Sequence, residues 1–394
     1  EGSLCLGLEM TRLAARFLRA GCAAGDAGQA AARIQAWLKD PAGAGHLVTT
    51  LGEENGQPTT PLVVRIEDGL PVRAWWLRLY AAERRLEQAF GMRRKLDPVK
   101  TTAAQKKAAL ARGSAFAGMT LNPRQGEAVG LALAARTLVI SGGPGTGKTT
   151  TVAAVLRALL SAGLCTAGRV ALAAPTGRAA QRMKDSLAAQ TARMEDLSPA
   201  EADFFNRLEG KTIHRLLEYK HGQQRFARCA AYPLDADVVV IDEVSMVDIE
   251  LMVSLIEAVR VETRLILLGD RDQLPSVNAG AILADILPAV QGSGGSDSGM
   301  AAVFLDENRR SVGEITAAAL ACNAGDADGF IASIPALEMV ELERVARLPL
   351  ARIAPAESLS GKAWQGFIRG WLDLVLGAAE GEGYAGLAAS SQGT

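Results

Sequence analysis

The sequence predicts an α/β fold, in which a parallel β-sheet is flanked by helices and preceded by a mainly helical region. Between residues 115 and 335, short apolar runs of strand length alternate with helical patterns, as a doubly wound parallel sheet requires. Three of these runs end in polar or glycine-rich segments, and ligands bind at the carboxyl ends of strands in such sheets. We therefore expect an N-terminal domain over 1–110, an α/β domain over 111–335 and a helical tail over 336–394.

Composition indicates a soluble globular protein of two or three domains, because 49% of the 394 residues are hydrophobic and 22% are charged. The net charge of −1 gives no overall positive field, although a local groove is enough to bind nucleic acid. Five scattered cysteines favour a reducing compartment over a disulfide framework or a zinc site. The chain has no long uncharged apolar stretch, and its first residues lack both a basic leader and an initiator Met. We therefore expect a cytoplasmic protein without a signal peptide, whose true start is missing.

Apolar residues at helical spacing predict helices near the N-terminus, at Leu13, Phe17, Ile34, Trp37 and Leu38. A hairpin is predicted over 62–72, where Asp68 and Gly69 separate two apolar runs. Trp75 and Trp76 follow it. Bases can stack on such rings, but a buried or interface aromatic pair is the more frequent arrangement.

The segment 91–112 carries seven basic residues against one acid, Asp97. This charge run favours a solvated linker, with a contact to nucleic acid or to a partner as the alternative. Further along, the glycine- and serine-rich stretch 291–299 is typical of a flexible loop.

A phosphate-binding loop is predicted after the apolar run 137–140, where residues 141–151 read S-G-G-P-G-T-G-K-T-T-T. The glycines let backbone N–H groups approach phosphate oxygens, and the N-terminus of the following helix favours an anion. Lys148 can reach the β- and γ-phosphates, and the Thr149 hydroxyl can ligate Mg²⁺. A plain glycine-rich turn would not need every fixed position of this pattern. The predicted nucleotide-binding residues are Gly142, Gly143, Pro144, Gly145, Thr146, Gly147, Lys148, Thr149 and Thr150.

A second site element is predicted where the apolar run 237–241 ends in Asp242 and Glu243. A carboxylate at the tip of a strand beside the loop strand can hold Mg²⁺, which we assign to Asp242. Glu243 is then placed to orient or deprotonate the attacking water. The alternative is an ordinary turn or helix cap.

A third apolar run, 264–268, ends in G-D-R-D-Q-L-P. Gln273 of this segment could sense the γ-phosphate, and a plain turn is the alternative.

Taken in order, the motifs resemble those of superfamily 1 helicases and, within them, the RecD family, the alpha subunit of bacterial exodeoxyribonuclease V. The resemblance is strong over 121–330 and weaker over 61–86. The segments that carry it are G-G-P-G-T-G-K-T-T-T (142–151), A-P-T-G-R-A-A (174–180), T-I-H-R-L-L (212–217), V-I-D-E-V-S-M-V-D (240–248), G-D-R-D-Q-L-P-S-V-N-A-G-A-I-L-A-D-I (269–286) and L-D-E-N-R-R-S (305–311).

The resemblance implies a RecA-like sheet and roles for further residues. Gln125 matches a glutamine that recognises adenine, although alone it would be an ordinary surface residue of a helix. Arg310 matches an arginine that reaches the γ-phosphate, with Arg309 as the competing candidate. Contacts to single-stranded DNA are implied for Pro175, Thr176, Arg178, Thr212, His214 and Arg215. For two of these, other readings stay open: Thr176 as a helix N-cap, and His214 as a packing or capping residue.

The resemblance further implies an ATP- and Mg²⁺-dependent 5′-to-3′ DNA helicase, acting with RecB-like and RecC-like subunits on single-stranded DNA. The alternatives are a stand-alone RecD-like helicase and an assembly subunit that binds ATP without motor activity. A GTPase or a transporter ATPase would need an N-K-x-D or L-S-G-G-Q segment, and neither occurs. No nuclease-type cluster of carboxylates with a lysine is found, so nuclease activity would belong to partner subunits.

Nothing after residue 330 resembles the second motor domain of that family. We therefore expect the chain to be truncated, with 336–394 as the start of that domain, and to hydrolyse ATP slowly by itself.

Overall fold

The computed structural model describes residues 6–8, 14, 23–39, 47–51, 58–68, 70–116, 120–166, 168–271, 273, 282–291, 299–306, 321–322, 325–326 and 329. The chain divides into two compact units, Glu1–Arg310 and Ser311–Thr394. Everything described below belongs to the first unit. The predicted helical positions Leu13 and Phe17, the interior of the predicted loop 291–299 and the predicted tail 336–394 lie outside the described residues, and the domain boundaries near 110 and 335 stay predictions.

The N-terminal region contains helices and a small sheet. Helix α1 spans Ala24–Lys39, and the strands are β1 (Leu6–Gly7), β2 (Val48–Leu51), β3 (Leu62–Glu67) and β4 (Leu70–Trp76), in the order β1-β4-β3-β2. The predicted hairpin is therefore confirmed as the antiparallel pair β3–β4. The mainly helical character also agrees with the prediction. The sheet adds two flanking strands, of two and four residues, which are too short to produce a period-two signal.

Strand alternation separates the two tryptophans at the end of β4. Trp75 is 3% exposed, and its indole N–H donates to Glu83 Oε2 over 2.7 Å. Trp76 is 65% exposed, because successive side chains of a strand point to opposite faces. Trp75 is therefore a buried aromatic, whereas an interface or base-stacking role for Trp76 stays a prediction.

The first unit contains a six-stranded sheet that is parallel, as predicted. Its strands are β5 (Thr137–Gly142), β6 (Val170–Ala174), β7 (Gly210–Thr212), β10 (Val238–Ile241), β11 (Arg264–Gly269) and β12 (Met300–Leu305), in the order β12-β5-β11-β10-β6-β7. Every neighbouring pair is parallel. A separate hairpin, β8 (Tyr219–Lys220) with β9 (Arg225–Phe226), follows β7.

Helices cover both faces of this sheet. They are α2 (Leu77–Arg94), α3 (Ala103–Gly113), α4 (Pro123–Ala134), α5 (Lys148–Ser161), α6 (Gly177–Thr191), α7 (Pro199–Asn206), α8 (Ile213–Leu216), α9 (Ile249–Ala258) and α10 (Ile282–Gln291). Alternate residues of one strand enter different cores: Val238 and Val240 pack with α4 and α5, whereas Val239 and Ile241 pack with α9 and α10. Burial on both faces explains why these strands are continuous apolar runs in the sequence.

The basic segment 91–112 is a solvated linker only in part: five of its seven basic side chains are exposed, whereas Arg93 and Arg112 are bonded into the rest of the fold. Arg93 of α2 is 1% exposed, and its guanidinium donates to the carbonyls of Val259, Arg260 and Thr263 over 3.0, 2.7 and 3.1 Å. Burial lowers the pKa of Arg93 to about 10. Helix α2 is further held by a two-fold hydrogen-bonded ion pair between Arg85 and Glu257. The prediction fails for Arg93 because a buried arginine and an exposed one look alike in a sequence.

At the other end of the basic segment, Arg112 belongs to a buried charged network on the opposite face of the sheet. Arg112 and Arg157 of α5 both donate to the carboxylate of Glu201 in α7. Arg157 is fully buried and also donates to the Ala115 carbonyl over 2.7 Å. Burial alone would raise the pKa of Glu201, but the hydrogen bonds from Arg112, Ser198 and Arg157 lower it to about 2. We call Arg112, Arg157 and Glu201 the arginine–glutamate network.

Within the described ranges, no helix combines the length and the apolar character that crossing a bilayer requires.

Candidate nucleotide-binding site

The predicted phosphate-binding loop connects β5 to α5 and depends on its glycines. Gly145 and Gly147 have φ values of +83° and +88°, which favour glycine. At Gly147 a Cβ would also lie 2.4 Å from Gln125 Nε2. At Gly142 a Cβ would lie 2.7 Å from Thr146 Oγ1 and 2.8 Å from the Leu305 carbonyl oxygen. A side chain at either position would push the loop out of shape.

The ammonium group of Lys148 contacts the backbone of this loop. Its Nζ donates to the carbonyl oxygens of Gly142 and Gly143 over 2.5 and 3.1 Å, and Thr146 Oγ1 donates to the same Gly143 carbonyl over 2.9 Å. Helix α5 begins at Lys148, and its N-cap Gly147 provides no side-chain cap. The first N–H groups of α5 therefore face the loop together with an ammonium group, an arrangement suited to phosphate.

The remaining loop residues that the sequence predicts lie in the same turn. Pro144 is exposed, and Thr149 and Thr150 are half-buried in the first turn of α5. Thr149 directly follows Lys148, which is the position that a magnesium-ligating hydroxyl takes in a loop of this kind.

Gln125 is a buried residue beneath the loop. It is 1% exposed, so the interpretation as a surface glutamine is wrong. Its Oε1 accepts from the Asn122 N–H over 3.0 Å, its own N–H donates to Asn122 Oδ1 over 2.8 Å, and its Nε2 donates to the Thr146 carbonyl over 3.3 Å. The first two bonds form a capping box at the start of α4. The N-P-R-Q sequence carries that signal, which the sequence reading missed. The adenine contact stays a prediction.

Asp242 and Glu243 follow β10. This strand was predicted to lie next to β5, but it does not. Strand β11 lies between them, since β11 pairs with both β5 and β10. The order of strands depends on pairing between distant segments, which apolar runs do not reveal. Asp242 nevertheless lies within electrostatic reach of Lys148.

The Asp242 carboxylate is only partly compensated by its surroundings. Burial raises the pKa of Asp242, and the negative charge of Glu243 raises it further. The N–H of Glu243, which donates to Asp242 Oδ1 over 2.9 Å, lowers this pKa. Lys148 and Arg182 lower it as well. Glu243 has a φ of +53°, unusual for a residue with a side chain. Such strained conformations cluster at functional sites.

Gln273 follows β11 and contacts the segment after Glu243. Its Oε1 lies 2.6 Å from Ser245 Oγ, and its N–H donates to the Asp270 carbonyl over 3.3 Å. Ser245 was missed by the sequence reading, although it stands two residues after Glu243. The carboxyl ends of β10 and β11 are thus joined by a side-chain hydrogen bond.

The two segments predicted to contact DNA lie next to each other. Strands β6 and β7 pair with Ala174 opposite Thr212, so the segments that follow them start at the same edge of the sheet. Thr176 and Thr212 are both helix N-caps, whose hydroxyls accept from the N–H groups of Ala179 and Arg215 over 3.2 and 3.1 Å. The N-cap reading of Thr176 is therefore correct. A DNA role for this residue stays a prediction.

Three of the four predicted DNA-contacting side chains beside these caps are exposed. Pro175 is half-buried, whereas Arg178, His214 and Arg215 are exposed. The His214 ring packs against Tyr219 and Phe226 of the β8–β9 hairpin, with ring centroids 5.7 and 5.6 Å apart. This supports the packing reading of His214. Among the described residues, no group of His, Cys, Asp and Glu is arranged to hold a metal ion on its own.

Arg310, with its competitor Arg309, lies outside the described residues.

Comparisons with known proteins identify relatives of this region. A family described as an AAA domain matches residues 125–279. The RecBCD enzyme subunit RecD of Mycolicibacterium smegmatis is 42% identical over 217 residues, which are 54% of this chain and 37% of the relative. The RecD subunit of Haemophilus influenzae is 42% identical over 168 residues, or 41% of this chain and 26% of the relative.

Two further proteins extend this comparison. The ATP-dependent RecD2 DNA helicase of Deinococcus radiodurans is 40% identical over 154 residues, covering 39% of this chain and 18% of the helicase. A solved structure of the Bacteroides Pif1 helicase with ADP-AlF3 and ssDNA can be superposed over 54% of this chain and 48% of the Pif1 chain. The sequence identity is 16% and the TM-score is low, at 0.34.

The chain spans less than two fifths of the length of these curated relatives. The motif-based recognition is nevertheless confirmed: over about half of its length, this chain is similar to RecD subunits of the RecBCD enzyme.

Proposed function

We propose that this chain carries the nucleotide-binding half of an ATP-dependent DNA helicase. The observation that supports this most strongly is the glycine loop around Lys148, within electrostatic reach of the Asp242–Glu243 turn. A cradle of N–H groups and an ammonium beside a pair of carboxylates suits the hydrolysis of a phosphoanhydride.

The residues fit a triphosphate with Mg²⁺. Lys148 would bind the β- and γ-phosphates, and Thr149 and Asp242 offer the oxygen ligands that Mg²⁺ prefers. When bound, the ion would neutralise the charge that develops on the phosphates. Glu243 would orient the attacking water and take up its proton, and Gln273 would contact the γ-phosphate. Arg310 would add a positive charge at the γ-phosphate.

We further propose that the nucleotide cycle drives movement on single-stranded DNA. Arg178, His214 and Arg215 are exposed at the edge of the sheet next to the caps Thr176 and Thr212. This edge lies at the carboxyl ends of the strands, as the phosphate loop does. A change in the nucleotide can therefore reach the DNA segments through the sheet itself.

The finer proposal is a 5′-to-3′ motor subunit of a RecBCD-like exodeoxyribonuclease V in the bacterial cytoplasm, with RecB-like and RecC-like partners. The names of the bacterial relatives, which are subunits of a RecBCD enzyme, support membership of such a complex. A stand-alone helicase is the second candidate, since one relative is named as a helicase without a complex. Co-purification of the full-length protein with RecB-like and RecC-like subunits decides between them; a monomer that unwinds DNA alone would favour the second.

The experiment that tests the nucleotide site compares Glu243→Gln with Lys148→Ala in the full-length protein. Glu243→Gln should leave nucleotide affinity within about threefold while hydrolysis falls roughly 10²-fold or more, because the base is lost and the size is kept. Lys148→Ala should abolish tight ATP binding.

Glu87→Gln is the matched control, since Glu87 is an exposed carboxylate paired with Arg84 on α2. Fluorescent-nucleotide titration and a phosphate-release assay give the two readouts. Unchanged turnover in Glu243→Gln would make Glu243 a structural residue, and unchanged affinity in Lys148→Ala would remove the loop as the site.

A further inference from the structure

Ser245 lies in a turn that other groups already hold in place. The 3-10 turn Val244–Met246 follows Glu243 directly and is closed by backbone bonds, from the Met246 N–H to the Glu243 carbonyl and from the Val247 N–H to the Val244 carbonyl, both over 3.0 Å. The Ser245 hydroxyl takes part in neither bond. The turn therefore does not need this hydroxyl for its shape.

The hydroxyl is instead directed at Gln273. Ser245 is 7% exposed, and its Oγ lies 2.6 Å from Gln273 Oε1. An amide oxygen can only accept, so Ser245 donates. This bond occupies the carbonyl side of the Gln273 amide and leaves its NH₂ group to point elsewhere. A phosphate oxygen can only accept, so an amide that meets a phosphate must present that NH₂ group.

The contact also joins two strand ends that have no covalent link nearby. Gln273 follows β11, and Ser245 follows β10. The ends of β10 and β11 are packed closely, since a Cβ at Gly269 would lie 3.4 Å from the Ser245 nitrogen. A shift of Gln273 would therefore act on the turn that carries Glu243.

We propose that Ser245 is a positioning residue, which orients the Gln273 amide toward the γ-phosphate and ties it to the Glu243 turn. This inference rests on the proposed function. It assigns Ser245 no contact with the nucleotide. Its effect should therefore appear only with ligands that carry a γ-phosphate, and only while Gln273 is present.

The test measures the affinity of the full chain for ADP and for a non-hydrolysable ATP analogue, in the wild type, Ser245→Ala, Ser245→Thr, Gln273→Ala and the double variant Ser245→Ala/Gln273→Ala. Ser245→Ala should weaken the analogue about fivefold, the usual effect of one neutral hydrogen bond, and leave ADP within about twofold. Ser245→Thr keeps the hydroxyl and should restore most of the loss. The double variant should match Gln273→Ala.

Ser254→Ala is the matched control, because its hydroxyl donates to the Glu250 carbonyl within α9, away from the loop. Equal weakening of ADP and the analogue, or losses that multiply in the double variant, would overturn the role of Ser245. If Ser245→Ala does not fold, Ser245→Cys, a weaker donor, takes its place under the same criteria. A wild type that binds neither nucleotide would overturn the proposed function itself, which keeps the two failures apart.

Discussion

Two carboxylates of this unit lie under opposite electrostatic conditions. Glu201 is 7% exposed and accepts hydrogen bonds from two guanidinium groups and from its own helix cap, so its pKa falls to about 2. Asp242 accepts a hydrogen bond from the neighbouring Glu243 N–H, and its pKa is raised by burial and by the Glu243 charge. One site is electrostatically complete, and the other favours the arrival of a cation.

The difference separates structural charge from functional charge. A buried carboxylate whose donors are all supplied by the protein holds elements together, here α3, α5 and α7. A carboxylate left under-compensated beside a strained backbone costs stability and is typical of a site that binds a charged ligand. The four predictions below test this distinction, in order of decreasing effect.

The largest effect is expected for Asp242→Asn. Hydrolysis of ATP by the full-length protein should fall roughly 10²-fold, because a metal ligand is lost. The free energy of unfolding should stay the same or rise slightly, since an under-compensated charge disappears. Steady-state turnover and urea unfolding measure the two quantities. Asp203→Asn, at an exposed carboxylate paired with Arg207, is the control. A large loss of stability in Asp242→Asn would contradict the distinction.

The opposite pattern is expected for Glu201→Gln. Removing this charge leaves Arg157 buried beside a neutral amide, so we expect a loss of about 3 kcal/mol in the free energy of unfolding. Nucleotide affinity measured below the unfolding transition should change less than about twofold. Glu127→Gln, whose carboxylate pairs with Arg124 at the surface, serves as the comparison. Loss of nucleotide binding in a folded Glu201→Gln protein would tie the network to the site.

Acid should remove the contribution of Glu201 to stability. The pKa of Glu201 is about 2 in the folded state against 4.5 ordinarily, so its contribution is complete above pH 4.5 and is lost as the pH falls toward 2. Asp242 has the opposite sign, because a raised pKa in the folded state favours folding as the pH falls. Urea unfolding between pH 5 and 2.5 should show a shallower acid loss in Glu201→Gln than in the wild type. Parallel curves would mean that Glu201 is not the group responsible.

The smallest effect is expected for Arg178→Ala, at the predicted DNA edge. Affinity for single-stranded DNA should fall with little dependence on base sequence, and the slope of log affinity against log salt should decrease by about one. Arg207→Ala, at an exposed arginine directly after α7, is the control and should change neither quantity. A loss restricted to particular base sequences would point away from a phosphate contact.

The phosphate loop and the Asp242–Glu243 turn were predictable because their residues are contiguous. Lys148 stands within six residues of the carbonyls that it contacts, so a short motif contains the whole geometry. The β3–β4 hairpin was predictable for the same reason.

Interactions between distant segments were not predictable. The insertion of β11 between β5 and β10, the burial of Arg93 under carbonyls 166 to 170 positions away, and the contact of Ser245 with Gln273 all depend on pairing across the fold. A sequence motif carries no information on which distant backbone will supply a partner. The interpretation of 91–112 as a solvated linker failed at Arg93 and Arg112 for this reason.

The burial of Arg93 bears on how this protein can be divided for study. The three carbonyls that it satisfies belong to the connection between α9 and β11, two elements of the parallel sheet and its helical cover. A recombinant fragment that starts at the predicted boundary near 110 would remove α2 and leave these acceptors to water. A fragment that starts before Leu77 would keep them paired. We therefore expect the α/β domain to fold as a stable unit only when α2 is included, and limited proteolysis should leave α2 attached to the sheet.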